Sequence, residues 1–408
     1  MSIALAIVGL GFLVLVHEAG HFFASLAVGL RPRKFYVGFP PPLVRTRRNG
    51  IEYGIGMIPL GGFVSIPGMH RPIPHDAERR FAHAVEEAPP LAGPVDRVKR
   101  LLEEDDFAAT LQAISDLDAD LAAQSLSDNA RIRAEKGIVE IRDGLGPEAY
   151  WKAPTWKRLV AIAAGPIANV LLAIVLFAIL FMTVAGSPTT TIASVASEFE
   201  PGVASPAATI GLREGDRVVE IAGTPVEADE IATTIADSDG QPIVVTVVRD
   251  GERIDLGPVA ASDVDGRYRL GFSLRGEGRG LVASVQEGVR VTGLVSWEIV
   301  KAIGSLATGE GRENVSSPIG ITQASSDAID RGAENYLWVL GLISLSLALL
   351  NLLPLLPLDG GHILFTLIEG ARGRFVKREV YERVSMIGLA VVLLLFFVGL
   401  TNDIGRLS

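Results

Sequence analysis

Two histidines and a glutamate interrupt an otherwise uncharged apolar stretch, residues 2–30, which contains the run His17-Glu18-Ala19-Gly20-His21. Residues i and i+4 share one face of a helix, so His17 and His21 can bind one metal ion together. Glu18 directly follows the first histidine and can reach a water on that metal. Ionisable groups in hydrocarbon are costly and need a compensating partner. We therefore predict a zinc hydrolase site inside a membrane span, and we disfavour the alternative of a chance H-E-x-x-H.

A third metal ligand is needed, because catalytic zinc usually has three protein ligands and a water. The chain contains no Cys, which leaves His, Asp and Glu as donors. The third apolar segment ends in Asn-Leu-Leu-Pro-Leu-Leu-Pro-Leu-Asp-Gly-Gly-His, residues 351–362. Pro354 and Pro357 interrupt a helix there, and a broken helix at membrane depth is tolerated where it lines a polar cavity. We predict Asp359 as the third ligand.

His362 is the alternative third ligand, three residues after Asp359. Gly360 and Gly361 allow the chain to turn, so Asp359 can point across to the first span, whereas His362 lies further on and nearer the cytoplasm. Zinc lowers the pKa of a bound water from about 15.7 to about 7. Glu18 is then expected to accept the proton and later pass it to the leaving amine.

Two further polar side chains, Asn169 and Asn351, lie in predicted spans. Either can hold the substrate backbone or an oxyanion. Each is equally consistent with a hydrogen bond between helices, which polar residues in membrane spans often form. Both are candidate substrate-binding residues, and the structural alternative stays open.

Four segments are apolar and long enough, or nearly so, to cross a bilayer: residues 2–30, 159–185, 336–358 and 384–401. Basic residues follow the first span, precede the second, and lie between the third and fourth. By the positive-inside rule, the loop between the first two spans and the 359–383 loop are cytoplasmic. The N-terminus, residues 186–335 and the C-terminal tail are then outside. No Lys or Arg precedes Arg31, which argues against a cleaved signal peptide.

Short strands are predicted within residues 43–66. The dipeptide Asn49-Gly50 favours a tight primed turn between two of them, and residues 58–64 continue the pattern. Exposed strand edges cannot face lipid, so this sheet must lie at the cytoplasmic interface or line a protein cavity. Its edge can add an extended peptide as a strand, which makes Gly61, Gly62 and Phe63 candidate substrate contacts. A plain structural hairpin is equally consistent with the pattern.

An acidic segment follows, because residues 76–143 carry 16 acidic and 9 basic side chains. Apolar residues keep a helical period there, at Val95, Val98, Leu101, Leu102, Ile114, Leu117 and Leu121. We expect one or two amphipathic helices on the cytoplasmic side. A solvated insert is the default interpretation, and a regulatory or partner surface is the alternative. The formal net charge of −10 argues against a nucleic-acid partner.

Residues 188–275 have the composition of a small β-rich domain. A strand and a turn follow the loop at residues 211–216, and residues 243–249 form a β-branched strand that ends in an Asp-Gly turn. The pattern G-L-x-x-G-D-x-V-x-x-I-x-G resembles a PDZ domain of the bacterial protease type. Such domains can bind a peptide end as an added strand, although a spacer is the alternative. Residues 293–307 show helical spacing.

These motifs, in this order and over nearly the whole chain, resemble those of the bacterial site-2 protease family, which are intramembrane zinc metalloproteases. They are H-E-A-G-H, I-P-L-G-G-F-V, A-A-G-P-I-A-N, the PDZ-like region and N-L-L-P-L-L-P-L-D-G-G-H. The resemblance implies that His17, His21 and Asp359 bind Zn²⁺ and that Glu18 is the catalytic base. It also implies transmembrane substrates, often anti-sigma factors already trimmed by another protease. The single PDZ-like domain and the acidic insert depart from the pattern.

The predicted fold is a multi-pass α-helical membrane protein with about four transmembrane helices, a reentrant membrane β-sheet and an inserted PDZ-like β-rich domain. The predicted boundaries are 1–30 for span one, 31–70 for the strands, 71–150 for the acidic insert, 151–186 for span two, 187–280 for the PDZ-like domain, 281–335 for a connector, 336–370 for span three and 371–408 for span four and the tail.

The expected location is the bacterial cytoplasmic membrane, with the PDZ-like domain outside the cytoplasm. The expected partners are membrane lipid, a single-span protein substrate and a peptide C-terminus at the PDZ-like domain. Alternative functions are a membrane quality-control or signal-peptide-remnant peptidase and, in another class, a metal transporter or an inactive PDZ scaffold. A transporter requires further ligands along a path, and an inactive scaffold is expected to have lost Glu18.

Overall fold

The computed structural model describes residues 1–183, 187–200, 202–264 and 266–407, without the side chains of residues 39, 40, 58–61, 200, 307, 314 and 407. The helices are α1 (Ser2–Ala27), α2 (Pro74–Glu87), α3 (Ala92–Glu103), α4 (Phe107–Ala122), α5 (Asp128–Leu145), α6 (Thr155–Met182), α7 (Pro206–Thr209), α8 (Ile231–Ala236), α9 (Leu281–Thr308), α10 (Pro318–Asp330), α11 (Ala333–Asn351), α12 (Asp359–Arg372) and α13 (Arg378–Leu407).

The strands are β1 (Lys34–Arg48), β2 (Ile51–Ser65), β3 (Ser187–Val195), β4 (Glu198–Glu200), β5 (Val203–Ala204), β6 (Arg217–Ile221), β7 (Thr224–Pro225), β8 (Pro242–Arg249), β9 (Glu252–Ala260), β10 (Ser262–Val264), β11 (Arg267–Arg269) and β12 (Phe272–Glu277). The chain divides into two compact units. One comprises residues 1–172, 295–332 and 342–408, and the other comprises residues 173–294 and 333–341.

Four helices in the described residues are long and apolar enough to cross a bilayer: α1, α6, α11 and α13. Many of their exposed side chains are large and apolar, such as Val8, Phe12 and Phe397. Such side chains are stable at the surface where lipid, not water, covers them. The prediction of four spans is confirmed at this level. The third helix ends at Asn351, seven residues before the predicted end, because the prolines that follow interrupt it.

Strands β1 and β2 each bend, so that the two strands make a sheet of four antiparallel segments. Residues 34–37 pair with residues 62–65 on one side and with residues 52–55 on the other, and residues 44–48 pair with the outer edge of 51–55. Asn49 and Gly50 have φ of 51° and 80°, as a type I′ turn requires. The predicted hairpin is confirmed.

The acidic insert forms four helices, α2 to α5, where the sequence predicts one or two. Val95, Val98 and Ile114 are buried as expected. Two helices, α2 and α5, were missed because Ala and Gly, which carry little hydrophobic signal, make up more than half of their buried residues. A Cβ at Gly137 in α5 would lie 2.6 Å from the Cβ of Arg80 in α2, so these helices pack closely.

One more element differs from prediction. Helix α9 begins at Leu281, 12 residues before the predicted helical region at residue 293. Its first turns contain Val282, Val285 and Val289, and β-branched residues disfavour a helix locally. The predicted boundary at residue 186 lies outside the described residues.

The β-rich domain orders its main sheet β12-β3-β6-β8-β9, with β7 paired to β6. Its core is built from inward-facing β-branched and aliphatic residues, including Ile192, Val218, Val245 and Val247. The predicted Asp-Gly turn joins β8 to β9, with φ of 52° at Asp250.

A buried ion pair ties the 211–216 loop of this domain to the end of β8. Asp216 is 1 % exposed and accepts hydrogen bonds from Nε and Nη2 of Arg249, both at 2.7 Å, and from the backbone N–H of Arg213 at 2.8 Å. Burial raises the pKa of Asp216, but these hydrogen bonds outweigh it, so the pKa lies below its ordinary value. The carboxylate is therefore stabilised in its charged form.

We predict that Asp216→Asn lowers the free energy of unfolding of the β-rich domain by about 2–3 kcal/mol, because Arg249 loses its charged partner. The stabilisation by Asp216 is complete above about pH 4, near its pKa in the unfolded chain, and is lost as the pH falls through the lower folded pKa. Hydrogen exchange of β6 and β8 amides in the full-length protein measures both effects.

Glu214→Gln is the control for this prediction. The exposed side chain of Glu214 pairs with Arg275 at 3.6 Å, so we expect a change within about 0.5 kcal/mol. Equal protection of β6 and β8 in the two variants would contradict the role of Asp216.

Candidate metal centre

Two imidazoles face each other on one side of α1. His17 and His21 are buried, at 7 % and 8 % exposure. Their Nε2 atoms are 3.2 Å apart. The Nδ1 atom of His21 lies 2.9 Å from the backbone oxygen of Ala161 in α6. Because a carbonyl can only accept, Nδ1 carries the proton and Nε2 of His21 presents a lone pair toward His17.

Asp359 joins the two histidines from a distant part of the sequence. It is the first residue of α12, directly after the proline-containing loop at residues 352–358. Its Oδ2 atom lies 3.2 Å from Nε2 of His17 and 3.3 Å from Nε2 of His21. The structure therefore brings together the two histidines and the aspartate that the sequence analysis singled out.

Gly360 and Gly361 serve a different purpose from the predicted one. Both lie inside α12, and neither is among the residues with positive φ. A Cβ at Gly360 would lie 2.2 Å from the carbonyl oxygen of Leu352, and one at Gly361 would lie 2.5 Å from the N atom of Leu356. The expectation that they provide turning freedom is wrong. They allow the first turn of α12 to pack against the preceding loop.

The three donor atoms fit a metal ion. Ligand atoms bound to zinc at about 2.0–2.1 Å in tetrahedral geometry lie roughly 3.3–3.4 Å apart, close to the 3.2, 3.2 and 3.3 Å measured here. The Oδ2 atom of Asp359 is buried and accepts no hydrogen bond within the described part of the chain. Among the described residues, these three side chains are the group of His, Asp and Glu close enough to share an ion.

Glu18 lies beside this cluster and against the sheet. It directly follows His17 on α1, and a Cβ at Gly62 of β2 would lie 2.8 Å from its Cγ. Gly62 is buried. The absence of a side chain at Gly62 thus lets a strand approach the Glu18 carboxylate closely.

The other predicted contact residues have distinct surroundings. Phe63 stacks on Tyr36, with ring centroids 5.3 Å apart. Gly61 lies in β2, and its surroundings are outside the described residues. His362 is not part of the three-donor cluster, and its Nδ1 hydrogen-bonds with the hydroxyl of Tyr381.

The two asparagines do not bond between helices through their side chains. Asn169 is fully buried, and its side-chain Oδ1 and Nδ2 atoms have no hydrogen-bond partner among the described residues. Asn351 donates to the carbonyl of Leu347 in its own helix, at 3.0 Å. The contact between helices is formed by Ser344, which donates to the backbone oxygen of Asn169 at 2.8 Å. Serine in an apolar helix gave no signal that would have singled it out.

Gly165 and Gly20 are site residues that sequence reasoning missed. A Cβ at Gly165 would lie 2.2 Å from Nε2 of His21, and one at Gly20 would lie 2.4 Å from the carbonyl oxygen of Ala164. Both glycines permit α1 and α6 to approach closely. The signal available in the sequence was Gly20 inside the metal motif and the Gly-Pro pair in the second span.

Comparison with known proteins gives the same assignment over nearly the whole chain. Residues 5–395 match peptidase family M50. The chain is 30 % identical over 422 residues to zinc metalloprotease RasP of Geobacillus kaustophilus, covering 99 % of this chain and 98 % of that protein. It is 29 % identical over 424 residues to the regulator of sigma-W protease RasP of Bacillus subtilis, covering 97 % and 96 %.

This chain belongs to peptidase family M50. It is a zinc metalloprotease of the site-2 protease type, and zinc is its cofactor. The family and the four apolar helices make it an integral membrane protein. The resemblance inferred from the sequence is confirmed.

We predict that Gly165→Ala lowers the affinity for zinc by about 10–100-fold, the range for disturbed contacts around metal ligands. The added methyl displaces the His21 imidazole. Gly11→Ala in α1 is the matched control, because no atom lies within 4 Å of a Cβ there. Both changes remove a helical glycine, so metal analysis of the two purified variants isolates the steric effect. Equal zinc content would show that α6 does not position His21.

Proposed function

We propose that this protein hydrolyses peptide bonds in the membrane-spanning segments of single-span substrates. In this proposal His17, His21 and Asp359 hold zinc and Glu18 is the catalytic base. The observation that carries it is the meeting of the three donor atoms at 3.2–3.3 Å. Two of the donors and the adjacent Glu18 lie on α1, an apolar helix long enough to cross a bilayer. The buried Oδ2 atom of Asp359 accepts no hydrogen bond among the described residues, so a polar contact alone does not explain the group.

The chemistry follows from the residues around the site. Zinc, when bound, supplies a Lewis acid that lowers the pKa of a coordinated water and polarises the scissile carbonyl. Glu18 accepts the proton of the attacking water and delivers it to the leaving amine. The Ala161 carbonyl keeps His21 in the tautomer that presents Nε2 to the site.

The position of the sheet supports the proposal that substrate binds next to Glu18. Residues 62–65 pair with residues 34–37 and form an outer segment of the described ladders. An outer segment offers backbone N–H and C=O groups to an extended peptide. A membrane-spanning substrate must unwind before cleavage, so we propose that it adds to this edge, with Gly61, Gly62 and Phe63 contacting it. We further propose that the sheet is reentrant and that Asn169 and Asn351 contact substrate.

Orientation in the membrane is proposed from the basic residues near the span ends. The acidic insert and residues 359–383 face the cytoplasm of a bacterial cell, and the β-rich domain faces outward. We propose that this domain is PDZ-like and that it binds a substrate C-terminus or excludes untrimmed substrates. The name of the Bacillus subtilis relative, regulator of sigma-W protease, supports an anti-sigma factor as substrate.

We predict that Glu18→Gln retains zinc and lowers cleavage by at least about 10²-fold, because only the proton acceptor is removed. Zinc analysis and cleavage of tagged single-span membrane proteins check the two parts separately. The inactive variant should also capture its substrate, which mass spectrometry can identify. Undiminished cleavage by Glu18→Gln would refute the assignment of the base.

We predict that Asp359→Ala strongly reduces zinc content, because one of three donors is lost. Zinc content of His362→Ala is the comparison that separates the two candidates for third ligand, and we expect it to match the unmodified protein. The reverse result, with zinc retained by Asp359→Ala and lost from His362→Ala, would transfer the ligand role to His362.

A further inference from the structure

His362 lies beside the metal centre without belonging to it. It follows Asp359 by three residues on α12, so the two side chains share a face of that helix. The ring packs against Tyr381 of α13, with centroids 5.6 Å apart, and Nδ1 hydrogen-bonds with the Tyr381 hydroxyl. This imidazole is therefore held in a fixed orientation next to the aspartate.

The hydrogen bond with Tyr381 couples the hydroxyl proton to the imidazole proton, because the hydroxyl can donate to Nδ1 of His362 or accept from it. A tyrosine hydroxyl has one proton to donate, and a neutral imidazole has one accepting nitrogen. Among the described hydrogen bonds, the Tyr381 hydroxyl has His362 as its partner. With Tyr381 as donor, Nδ1 of His362 accepts and Nε2 carries the hydrogen. An oriented N–H donor results.

Tyr381 is itself firmly placed. Its ring packs edge-on against Phe365 of α12, with centroids 4.9 Å apart, and against His70, with centroids 4.6 Å apart. Two side chains of α12, His362 and Phe365, and one from the segment before α2, His70, thus surround the phenol. The conformational entropy lost on orienting the Tyr381 hydroxyl toward His362 is therefore lost during folding and not during substrate binding.

His362 also lines a cavity of about 480 Å³ in the same unit. Tyr150, Thr366 and Tyr381 contribute to its wall. No described hydrogen bond engages Nε2 of His362, although its Nδ1 is engaged. With Tyr381 as donor, the half-buried Nε2–H of His362 is available to a ligand next to Asp359, which lies three residues earlier on the same helix face.

We propose that the Nε2–H of His362 donates a hydrogen bond to the oxygen of the scissile carbonyl as it gains negative charge during cleavage. His362 is then a catalytic residue, and Tyr381 is a positioning residue. The proton stays on Nε2 throughout, while Glu18 transfers the proton of the water. This inference rests on the proposed function, because it assigns a role within that reaction.

The test compares His362→Ala, His362→Gln and Tyr381→Phe in the full-length protein. The probe is a synthetic single-span peptide with a fluorophore and a quencher, selected for cleavage by the unmodified protein. Loss of one such donor typically lowers kcat by about 10²–10³-fold. We expect this loss for His362→Ala, with KM within about twofold and zinc content unchanged.

The other variants test the assignment of roles. His362→Gln keeps an N–H donor near the same position and should recover at least about tenfold of the kcat lost by His362→Ala. Tyr381→Phe removes only the orienting hydroxyl, so its kcat should fall less than that of His362→Ala. His83→Ala is the control, because His83 is an exposed residue of α2 that pairs with Glu86 at 3.3 Å.

Three results would overturn the inference. A kcat of His362→Ala within about twofold of the unmodified protein would make the Tyr381 hydrogen bond purely structural. Loss of zinc from well-folded His362→Ala would make His362 a ligand. A His362→Gln variant that retains zinc but recovers no activity would exclude the donor role.

The result for Glu18 separates this inference from the function on which it rests. If the unmodified protein cleaves the peptide and Glu18→Gln does not, the proposed function stands, and the His362 variants alone decide the donor role. If the zinc-loaded unmodified protein cleaves no single-span peptide, the proposed function and the role of His362 fail together.

Discussion

Three electron-rich atoms lie within 3.3 Å of one another in a largely apolar part of the molecule, and a cation between them would offset their mutual repulsion. The Ala161 carbonyl fixes the proton of His21 on the far nitrogen, so a shared hydrogen bond between the two imidazoles does not relieve the crowding from that side. In the proposed site, the ion would therefore stabilise the folded arrangement as well as the reaction. The elements around the site position α1 and α12 so that their three side chains meet.

The contact depends on missing side chains as much as on the donors. A methyl group at Gly165 would overlap His21, and one at Gly62 would press on Glu18. Methyl groups at Gly360 or Gly361 would push the start of α12 away from its loop, and Asp359 with it. Small residues let backbones approach closely where no hydrophobic force distinguishes protein from lipid. The glycines near the site thus determine distances between elements, and the polar residues determine the chemistry.

The sequence singled out the three side chains that the structure brings together, because metal chemistry depends on residue types and short spacings. His17 and His21 share a helix face at any helix orientation, and Asp359 follows a helix break that prolines signal locally. The Asn49-Gly50 turn was predictable for the same reason, since two successive positive φ values are a local requirement. Four apolar spans were visible in composition alone.

The remaining features depend on contacts between distant residues, which a single sequence does not reveal. The buried faces of α2 and α5 include Ala84, Ala134 and Gly137, residue types whose burial a sequence does not signal by itself. The sequence does not distinguish whether Gly360 and Gly361 form a turn or allow two backbone segments to pack closely. The roles of Ser344 and Gly165 follow from the partners they meet, more than one hundred residues away in the chain.

Buried charged side chains join the acidic insert to the part of the same unit that carries the candidate metal site. Glu369 of α12 pairs with Arg158 of α6 at 2.7 Å, with side chains only 14 % and 6 % exposed, and also accepts the backbone N–H of Val376. Two residues later, Arg378 binds both carboxylate oxygens of Asp76, which also caps α2 of the insert.

Helix α12 is thus held at both ends, by the diglycine packing at Asp359 and by the ion pair at Glu369. Breaking either partner of a buried pair leaves an uncompensated charge, which strongly favours retention of the observed position. The donor oxygen of Asp359 must stay within a few tenths of an ångström of its place for the three-atom geometry to persist. From its net negative charge alone, the insert is interpreted as a solvated segment without a structural role. Its ion pair with Arg378 instead makes it part of the frame that keeps Asp359 opposite the two histidines.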